Sequence, residues 1–517
     1  MNQGGIQVLM DTKKTWALFF VVLLGSLLTC VSCGSIEERI SDIDSRNSTG
    51  VESSQLSPDY SDKTKLVYLV PEEYKHGDKT VNAINEYLDE KGAPYYMEFQ
   101  GLPNSDTNEY ETMVKKHIGS ADLLFTGRSG TGYVELAGEE ALFCLDEYLH
   151  SEEGKRLYES LPVDNWYAVT IGDSIYGVTG YPYGADSAPS YIVNGECMEE
   201  YGISEEDLRK PLYELEDVIR RVYEGERAKG NTGFVPISVH FPTCDHFCGE
   251  FYFDSYSVTM NEETEEAHLL IENLEYVKWL RSLYDFYRKG YIQQFKDRDI
   301  GSRFLSLRFG TGVPTELASY GSYRESGVED GKTLTITLNG YTNYSQRLPF
   351  ATAISADSAN QSYALDFLTK VFTDAHLTNL MLHGAGYESM LDSKGKLKPE
   401  SPMGDPLAYG NYYISVPQFF EYIDMKDRYF EFHNGLKKSR FTGFCFDVVP
   451  VTQQIEECDG IFSRFLTGLP NTGQDFDTYL AECRQQLLEA GAQDIIDEAN
   501  RQFDEFKREV AYGKSKD

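Results

Sequence analysis

The length, composition and charge of the chain limit its architecture and its partners. It has 517 residues, of which 41% are hydrophobic and 25% are charged, and this composition is typical of a globular protein with two or three folded units. The formal net charge of −36 argues against nucleic acid and other polyanions as partners, because phosphate binding requires clustered lysine and arginine. We expect a solvated acidic surface that keeps the protein in solution.

The N-terminal residues have the pattern of a targeting segment. The apolar run Trp16–Leu28 follows two lysines and has the length of a signal-peptide core, which is short for a membrane span. The residues directly before Cys33 resemble the lipobox of bacterial lipoproteins, and Cys33 fits that pattern better than Cys30 does. We predict that residues 1–32 are a lipoprotein signal peptide and that Cys33 is lipidated. A plain cleaved secretory signal is the alternative.

A polar segment separates this signal from the folded body. Residues 33–62 are rich in Ser, Asp, Glu and Asn, have little to bury, and are typical of a flexible tether. No later apolar run has the length needed to cross a bilayer. We expect the body to lie at the extracellular face of the cell membrane, with the lipid anchor as its only contact with the membrane.

Short apolar strands alternate with helical patterns at the start of the body. Lys65–Val70 and Tyr95–Phe99 are predicted strands, and Ala121–Thr126 is a continuous apolar strand of the kind that is buried in a parallel sheet. Helical spacing lies between them, at Val81–Leu88 and Tyr110–Ile118. This alternation predicts an α/β fold with a doubly wound sheet.

Ligands of such sheets bind beyond the carboxyl ends of the strands. Pro71–Tyr74 follows the first predicted strand, and Gly127–Ser129 follows the third. We expect both segments to lie at the functional edge of the sheet.

The next segment, Ile175–Asn194, is broken by glycine and proline at Gly180, Pro182, Gly184 and Pro189 and is flanked by strand-like pieces. Proline favours extended backbone and glycine allows turns, so the segment predicts a crossing between two structural units. We interpret it as a hinge that borders a ligand cleft. The alternative is an ordinary interdomain loop whose tyrosines serve packing.

The strand and helix patterns restart after this segment. Predicted strands and helices follow in chain order at 212–222 (helix), 235–239 (strand), 277–287 (helix), 334–338 (strand), 350–354 (strand), 364–371 (helix), 476–487 (helix) and 495–510 (helix). Gly491 separates the last two helices. We therefore expect a second unit of similar construction.

Motifs of common enzymes and metal sites do not occur in the chain. G-x-S-x-G, the Walker phosphate loop and H-E-x-x-H are absent. The cluster His240–Cys248 holds two histidines and two cysteines, but its spacing matches no zinc pattern. We predict no metal and no cofactor. The seven cysteines after Cys33 are scattered and odd in number, so they form no disulfide framework, and a Cys244–Cys248 bridge stays open.

Several segments stand in the order found in one protein family. They are Ala121–Gly127, Tyr133–Ala137, Leu145–Leu149, Ile175–Val178, Tyr191–Asn194, Pro349–Ser355 and Phe367–Asp374. Together they resemble the extracellular solute-binding proteins of ABC importers, the class that contains maltose-binding protein. Gly443–Asp447 and the helices after it resemble a lipoprotein subgroup of Gram-positive bacteria.

The resemblance implies a periplasmic-binding-protein-like fold without catalytic activity. Two α/β lobes, each a doubly wound sheet with flanking helices, would close on a ligand, with hinge crossings between them. Mapped onto this chain, lobe one is 63–184 plus 346–398, and lobe two is 187–345 plus 399–517. The implied partners are a carbohydrate and the permease subunits of an ABC importer, and the protein itself is expected to be a monomer.

Sugars present apolar ring faces and many hydroxyls, so their sites need aromatic platforms and hydrogen-bonding side chains. The resemblance places such contacts after the strands of both lobes and in the hinge, and Asp186 matches a position where the family often has a sugar-binding carboxylate. The candidate ligand-binding residues are Glu72, Glu73, Tyr74, Arg128, Ser129, Tyr183, Asp186, His240, Phe241 and Tyr341, with Trp166 and Tyr387 as weaker candidates.

The sequence therefore predicts a lipoprotein that captures a carbohydrate, such as an oligosaccharide, and delivers it to an importer. A secreted enzyme acting on glycans is one alternative, and it would need two positioned carboxylates. A sensor or adhesion lipoprotein with the same fold is the other. Amino acids or peptides also stay open as ligands, since the fold does not fix the ligand.

Overall fold

A computed structural model describes residues 60–104, 107–127, 132–180, 185–186, 190–239, 249–253, 255–294, 304–308, 333–337, 343–344, 350–401, 410–419, 425–435 and 438–514. The predicted signal peptide, Cys33 and the His240–Cys248 cluster lie outside these ranges, as does all but the end of the predicted tether. None of the helices within the ranges combines the length and the apolar character needed to cross a bilayer.

Seventeen strands are formed in the described ranges, and many are only two to four residues long. They are β1 (Thr64–Pro71), β2 (Tyr95–Leu102), β3 (Leu123–Thr126), β4 (Thr170–Ile171), β5 (Ser174–Ile175), β6 (Gly177–Val178), β7 (Ala185–Asp186), β8 (Ser190–Asn194), β9 (Ile237–Val239), β10 (Glu250–Phe251), β11 (Val258–Asn261), β12 (Ala267–Leu269), β13 (Ile292–Gln294), β14 (Leu305–Arg308), β15 (Thr333–Thr337), β16 (Asn343–Tyr344) and β17 (Ala351–Ile354).

Sixteen helices are formed in these ranges, including the seven that the sequence predicted. They are α1 (Asp78–Glu90), α2 (Thr107–His117), α3 (Gly132–Gly138), α4 (Asp146–Leu149), α5 (Lys155–Glu159), α6 (Val163–Ala168), α7 (Gly195–Tyr201), α8 (Glu205–Leu208), α9 (Glu216–Ala228), α10 (Leu274–Lys289), α11 (Gln361–Thr373), α12 (Ala375–His383), α13 (Met425–Asn434), α14 (Thr452–Gly468), α15 (Phe476–Glu489) and α16 (Ala492–Lys514).

Helix α10 shows how local sequence sets these bounds. The Asn273 side chain accepts hydrogen bonds from the backbone N–H groups of Glu275 and Tyr276, which would otherwise lack helical partners. Gly290 ends the helix in the left-handed conformation, at φ 74°. The two predicted C-terminal helices, α15 and α16, are confirmed, and Gly491 lies between them at φ 97°.

The sheet of the first lobe brings several strand ends to one edge. Its strand order is β2-β1-β3-β17-β6. Strand β1 is parallel to β2 and β3, whereas β17 is antiparallel to β3 and to β6. The carboxyl ends of β1, β2, β3 and β6 therefore share an edge with the amino end of β17. We call this edge of the sheet the first binding edge.

The second lobe repeats this arrangement in a sheet ordered β13-β9-β14-β8-β15. Strand β9 is parallel to β13 and β14, while β8 is antiparallel to β14 and β15. One edge therefore holds the carboxyl ends of β9, β13, β14 and β15 and the amino end of β8. The predicted two-lobe α/β fold is confirmed, and both sheets are mixed because each takes in an antiparallel strand.

Two crossings between the lobes run side by side. Strand β7 lies between β6 of the first sheet and β8 of the second, and β16 lies between β15 of the second sheet and β17 of the first. The two pair in antiparallel register, with Asp186 opposite Asn343 and Ala185 opposite Tyr344. The break-rich segment predicted as a crossing thus contains one strand of a two-stranded ladder between the sheets.

Each sheet has its own hydrophobic core, and one segment packs differently from its predicted lobe. The first core contains Tyr412, Tyr413 and Tyr429, although residues 399–517 were assigned to lobe two. The second core begins to take in this part of the chain at Phe441. We propose that residues 410–435 belong to lobe one and that the chain enters lobe two near residue 438.

Candidate functional site

The first binding edge carries the three described candidates of the first lobe. Strand β1 ends at Pro71, and a 3₁₀ turn formed by Glu72–Tyr74 follows it directly. Glu72 and Glu73 are exposed, and Tyr74 is half-buried. Because β1 and β3 are parallel neighbours, this turn and Gly127 leave the sheet on the same side. Pro71–Tyr74 and Gly127 therefore share one edge of the sheet, whereas Arg128 and Ser129 of the second predicted segment lie outside the described residues.

Gly101, near the end of β2, allows the Glu72 carboxylate to rest on the sheet. A Cβ atom built on Gly101 would lie 1.8 Å from Oε2 of Glu72 and 3.1 Å from Cδ of Lys75. No side chain fits at position 101 unless the carboxylate moves. Sequence reasoning missed this role of Gly101, although a glycine at a strand end is a known sign of close approach by another group.

An aromatic row holds Tyr74 at the edge. Its ring centroid lies 5.6 Å from that of the fully buried Phe125, and Phe125 stacks on Phe350 with centroids 5.4 Å apart. Phe350 is half-buried and precedes β17, so it lies at the same edge. Local sequence does not single out Phe350 as a neighbour of the site, because its proximity to Tyr74 depends on the pairing of β3 with β17.

A small pocket opens beside the end of β3. It lies between α2, α3 and β3, and Tyr110, Glu111, Phe125 and Gly127 contribute to its wall. The Tyr110 hydroxyl donates a 2.8 Å hydrogen bond to the Phe125 carbonyl and so ties α2 to the strand. Gly127, which contributes to the wall of this pocket, directly precedes the predicted contacts Arg128 and Ser129 in the sequence.

The crossing that leads to Asp186 starts from a tightly held segment. The Tyr412 N–H donates a 3.1 Å hydrogen bond to the Gly180 carbonyl. A Cβ atom on Gly180 would lie 1.8 Å from the Gly410 carbonyl oxygen, so only glycine fits there. Asn165 donates to the Thr179 carbonyl at 2.8 Å. The chain therefore leaves the first sheet from a fixed point.

The remaining candidates are placed only in part. Asp186 lies in β7, opposite Asn343, and Arg128, Ser129, Tyr183, His240, Phe241 and Tyr341 lie outside the described residues. Gly127, which precedes Arg128 and Ser129, lies at the edge of the first sheet. Val239, which precedes His240 and Phe241, lies at the corresponding edge of the second sheet. Their contacts with a ligand stay predictions.

The two weaker candidates that the structure describes are core residues. Trp166 is 2% exposed, and its indole N–H donates to the Tyr158 carbonyl at 3.1 Å. Tyr387 is 7% exposed, and its hydroxyl lies 3.0 Å from Nδ1 of His376. Both belong to the first hydrophobic core, which accounts for their aromatic character without a ligand.

Two carboxylates and one lysine, Lys75, lie in the described part of the first binding edge. Glu72 and Glu73 are exposed there, while burial lowers the pKa of nearby His76 to about 4, so that its ring is neutral at pH 7. Carboxylates only accept hydrogen bonds and therefore suit a ligand that presents many hydroxyl donors. Within the described ranges, no group of three His, Cys, Asp or Glu side chains is placed to hold a metal ion.

Comparison with known proteins agrees with this architecture. Residues 440–508 match a family model described as a domain of unknown function, DUF3502. A comparison with curated proteins finds no match.

Three solved structures show the likeness in fold. The N-glycan transport solute binding protein NgtS from Streptococcus pneumoniae is 19% identical, with a TM-score of 0.62 over 86% of this chain and 99% of that one. The same protein in complex with Man1GlcNAc is 20% identical, with a TM-score of 0.52 and the same coverage. An HMO-binding, ABC-transporter-associated solute binding protein from Bifidobacterium longum infantis is 14% identical, with a TM-score of 0.53 over 86% and 99%. At these identities the likeness establishes the fold.

Proposed function

We propose that this chain, which has the fold of extracellular solute-binding proteins, captures a carbohydrate between its two lobes and delivers it to an ABC importer. The observation that supports the proposal is the arrangement of the strand ends from which the candidate segments continue. In the first lobe Glu72–Tyr74 follow a strand that ends at one edge of the sheet, in the second lobe β9 ends at the corresponding edge just before His240 in the sequence, and Asp186 lies in the ladder between the sheets. Such an arrangement suits a ligand held in a cleft and enclosed by a hinge motion.

The chemistry of these residues fits an oligosaccharide. Glu72, Glu73 and Asp186 supply acceptors for hydroxyl groups, and Tyr74 and Tyr183 supply flat apolar faces for sugar rings. The solute-binding proteins with the same fold from Streptococcus and Bifidobacterium are described as N-glycan transport and HMO-binding proteins, which supports the same ligand class. The proposed role is binding without catalysis, and no metal or cofactor takes part.

Delivery requires the protein to stay near its importer. We propose that Cys33 carries a lipid anchor, that the body is a monomer at the extracellular face of the membrane, and that the permease subunits are its partners. An exposed tether over residues 34–59 would leave the folded body free to reach the permease.

A calorimetric screen of oligosaccharides tests this function. We expect a mannose- or N-acetylglucosamine-containing oligosaccharide, such as Man1GlcNAc, to bind without being cleaved. Chromatography of the sugar after incubation separates the proposal from its main alternative, because product formation would identify a glycan-acting enzyme. Absence of binding across the panel would overturn the choice of ligand class.

A further inference from the structure

Residues 438–447, which we call the strap, pass from the first lobe to the second. One face of the strap is aromatic: the ring centroid of Phe441 lies 4.8 Å from that of Phe251, Phe444 lies 5.1 Å from Phe503, and Phe446 packs in the same core. The Glu262 carboxylate accepts from the Arg440 N–H at 3.1 Å. This face belongs firmly to the second lobe.

The other face of the strap meets the first lobe at Gly443. The Gly443 carbonyl accepts a 2.9 Å hydrogen bond from the Gly172 N–H. Gly172 forms the turn between β4 and β5, at φ 61°, and this hairpin directly precedes β6 of the first sheet. Sγ of Cys445 lies 4.0 Å from the same Gly443 carbonyl oxygen. The contact therefore joins an element of one lobe to an element of the other.

The backbones are so close at this contact that position 443 has no room for a side chain. A Cβ atom on Gly443 would lie 2.2 Å from the Gly172 carbonyl oxygen. Both atoms that would clash are anchored, one to the aromatic face of the strap and the other to the β4–β5 hairpin. Relief of the clash requires the hairpin and the strap to separate.

We propose that the Gly172–Gly443 contact is a pivot that sets the angle between the lobes of the ligand-free protein. Strand β6 runs from the hairpin towards the first binding edge, so the contact lies at the opposite end of β6 from the cleft. A side chain at position 443 spreads the lobes on that far side and brings the binding edges together. The effect on affinity rests on the proposed function, whereas the effect on lobe angle does not.

Small-angle X-ray scattering of ligand-free Gly443→Ala tests the pivot. We expect a smaller radius of gyration than that of the unmodified protein. Gly172→Ala is the matched control, because its φ is also positive but a Cβ atom there meets nothing within 4 Å. This variant introduces similar backbone strain without a steric clash between the lobes, and we expect it to leave the radius of gyration unchanged.

A second variant tests the pivot independently if Gly443→Ala does not fold. Cys445→Leu enlarges the same face of the strap without a positive φ, and we expect it to lower the radius of gyration too. For Man1GlcNAc, if it binds, a shift towards the closed form raises affinity by about threefold to tenfold when that form is a minor state in the free protein. An unchanged radius in both folded variants, or an equal change in Gly172→Ala, would overturn the pivot. If the protein binds sugar but neither variant has a smaller radius of gyration, the pivot is wrong and the proposed function still holds.

Discussion

The Nδ1 atom of His433 lies 2.9 Å from a carboxylate oxygen of Asp164, and neither side chain exposes any surface. The pair joins α13 to α6 and so ties the segment 410–435 to the first lobe. Loss of His433 leaves the buried Asp164 carboxyl without this hydrogen-bond partner. We expect His433→Ala to lower the free energy of unfolding by about 3–5 kcal/mol, measured by urea denaturation.

An exposed ion pair provides the control for this prediction. Lys155 and Glu159 lie 3.8 Å apart, and both side chains are more than half exposed. We expect Lys155→Ala to change the free energy of unfolding by less than about 0.5 kcal/mol. A His433→Ala effect as small as that of Lys155→Ala would show that the buried pair does not hold α13 in place.

Asp459 of α14 should give the stability of the second lobe a pH dependence. Burial raises the pKa of its carboxyl to about 6, although hydrogen bonds from Ser255, Ser257 and the Tyr256 N–H oppose the shift. The folded state thus binds this proton more tightly than the unfolded state does. The stabilisation of the folded state by this proton is fully present below about pH 4 and is lost as the pH rises through 6.

Thermal and urea unfolding between pH 4 and 7 checks this sign. We expect the unfolding free energy of the unmodified protein, relative to that of Asp459→Asn, to fall by up to about 3 kcal/mol across this range. The slope is the readout, because the amide also changes the hydrogen bonds at every pH. Parallel pH profiles for the two proteins would refute the raised pKa.

A substitution at the contact between Glu72 and Gly101 is expected to affect ligand binding more than the stability of the fold. A Cβ atom at position 101 displaces the flexible end of Glu72, so we expect Gly101→Ala to change stability by less than about 1 kcal/mol. We expect it to weaken glycan binding, measured by calorimetry, as much as Glu72→Ala does. Gly119→Ala is the control, since a Cβ atom there meets nothing within 4 Å. Normal binding by both edge variants would remove Glu72 from the site.

Asp186 provides the most direct test of the proposed ligand site. A buried hydrogen bond from a sugar hydroxyl to a charged carboxylate contributes on the order of 1.4 kcal/mol. We expect Asp186→Ala to weaken binding of a glycan ligand at least about tenfold in calorimetry. Asp186→Asn keeps the acceptor oxygen and should lose less. Unchanged affinity in the alanine variant would exclude Asp186 from the site.

Local patterns were enough to predict strands such as β1, β2 and β3 and helices such as α1 and α11, but they missed many short elements and could not predict long-range packing. For the apolar run ending at Thr126 and the apolar stripe of α11, the local sequence alone indicates a buried element. By contrast, Tyr412, Tyr413 and Tyr429 suit either core, and only the fold shows that they join the first. The roles of Gly101 and Gly443 depend on groups that approach from distant parts of the chain, the Glu72 side chain and the Gly172 backbone. A single sequence does not identify these partners, although a glycine near a strand end is a sign that some group approaches closely.

The pairing of β3 with β17 also governs when the first lobe can form. Leu123–Thr126 is entirely buried in the finished sheet, but its neighbour on one side begins at Ala351. Until the ribosome has added that distant strand, β3 is an apolar edge with unpaired backbone groups, which invites association with other chains. Completion of the first core waits still longer, for Tyr429. We therefore expect the early half of the chain to be prone to association with other chains until the later strands have been synthesised.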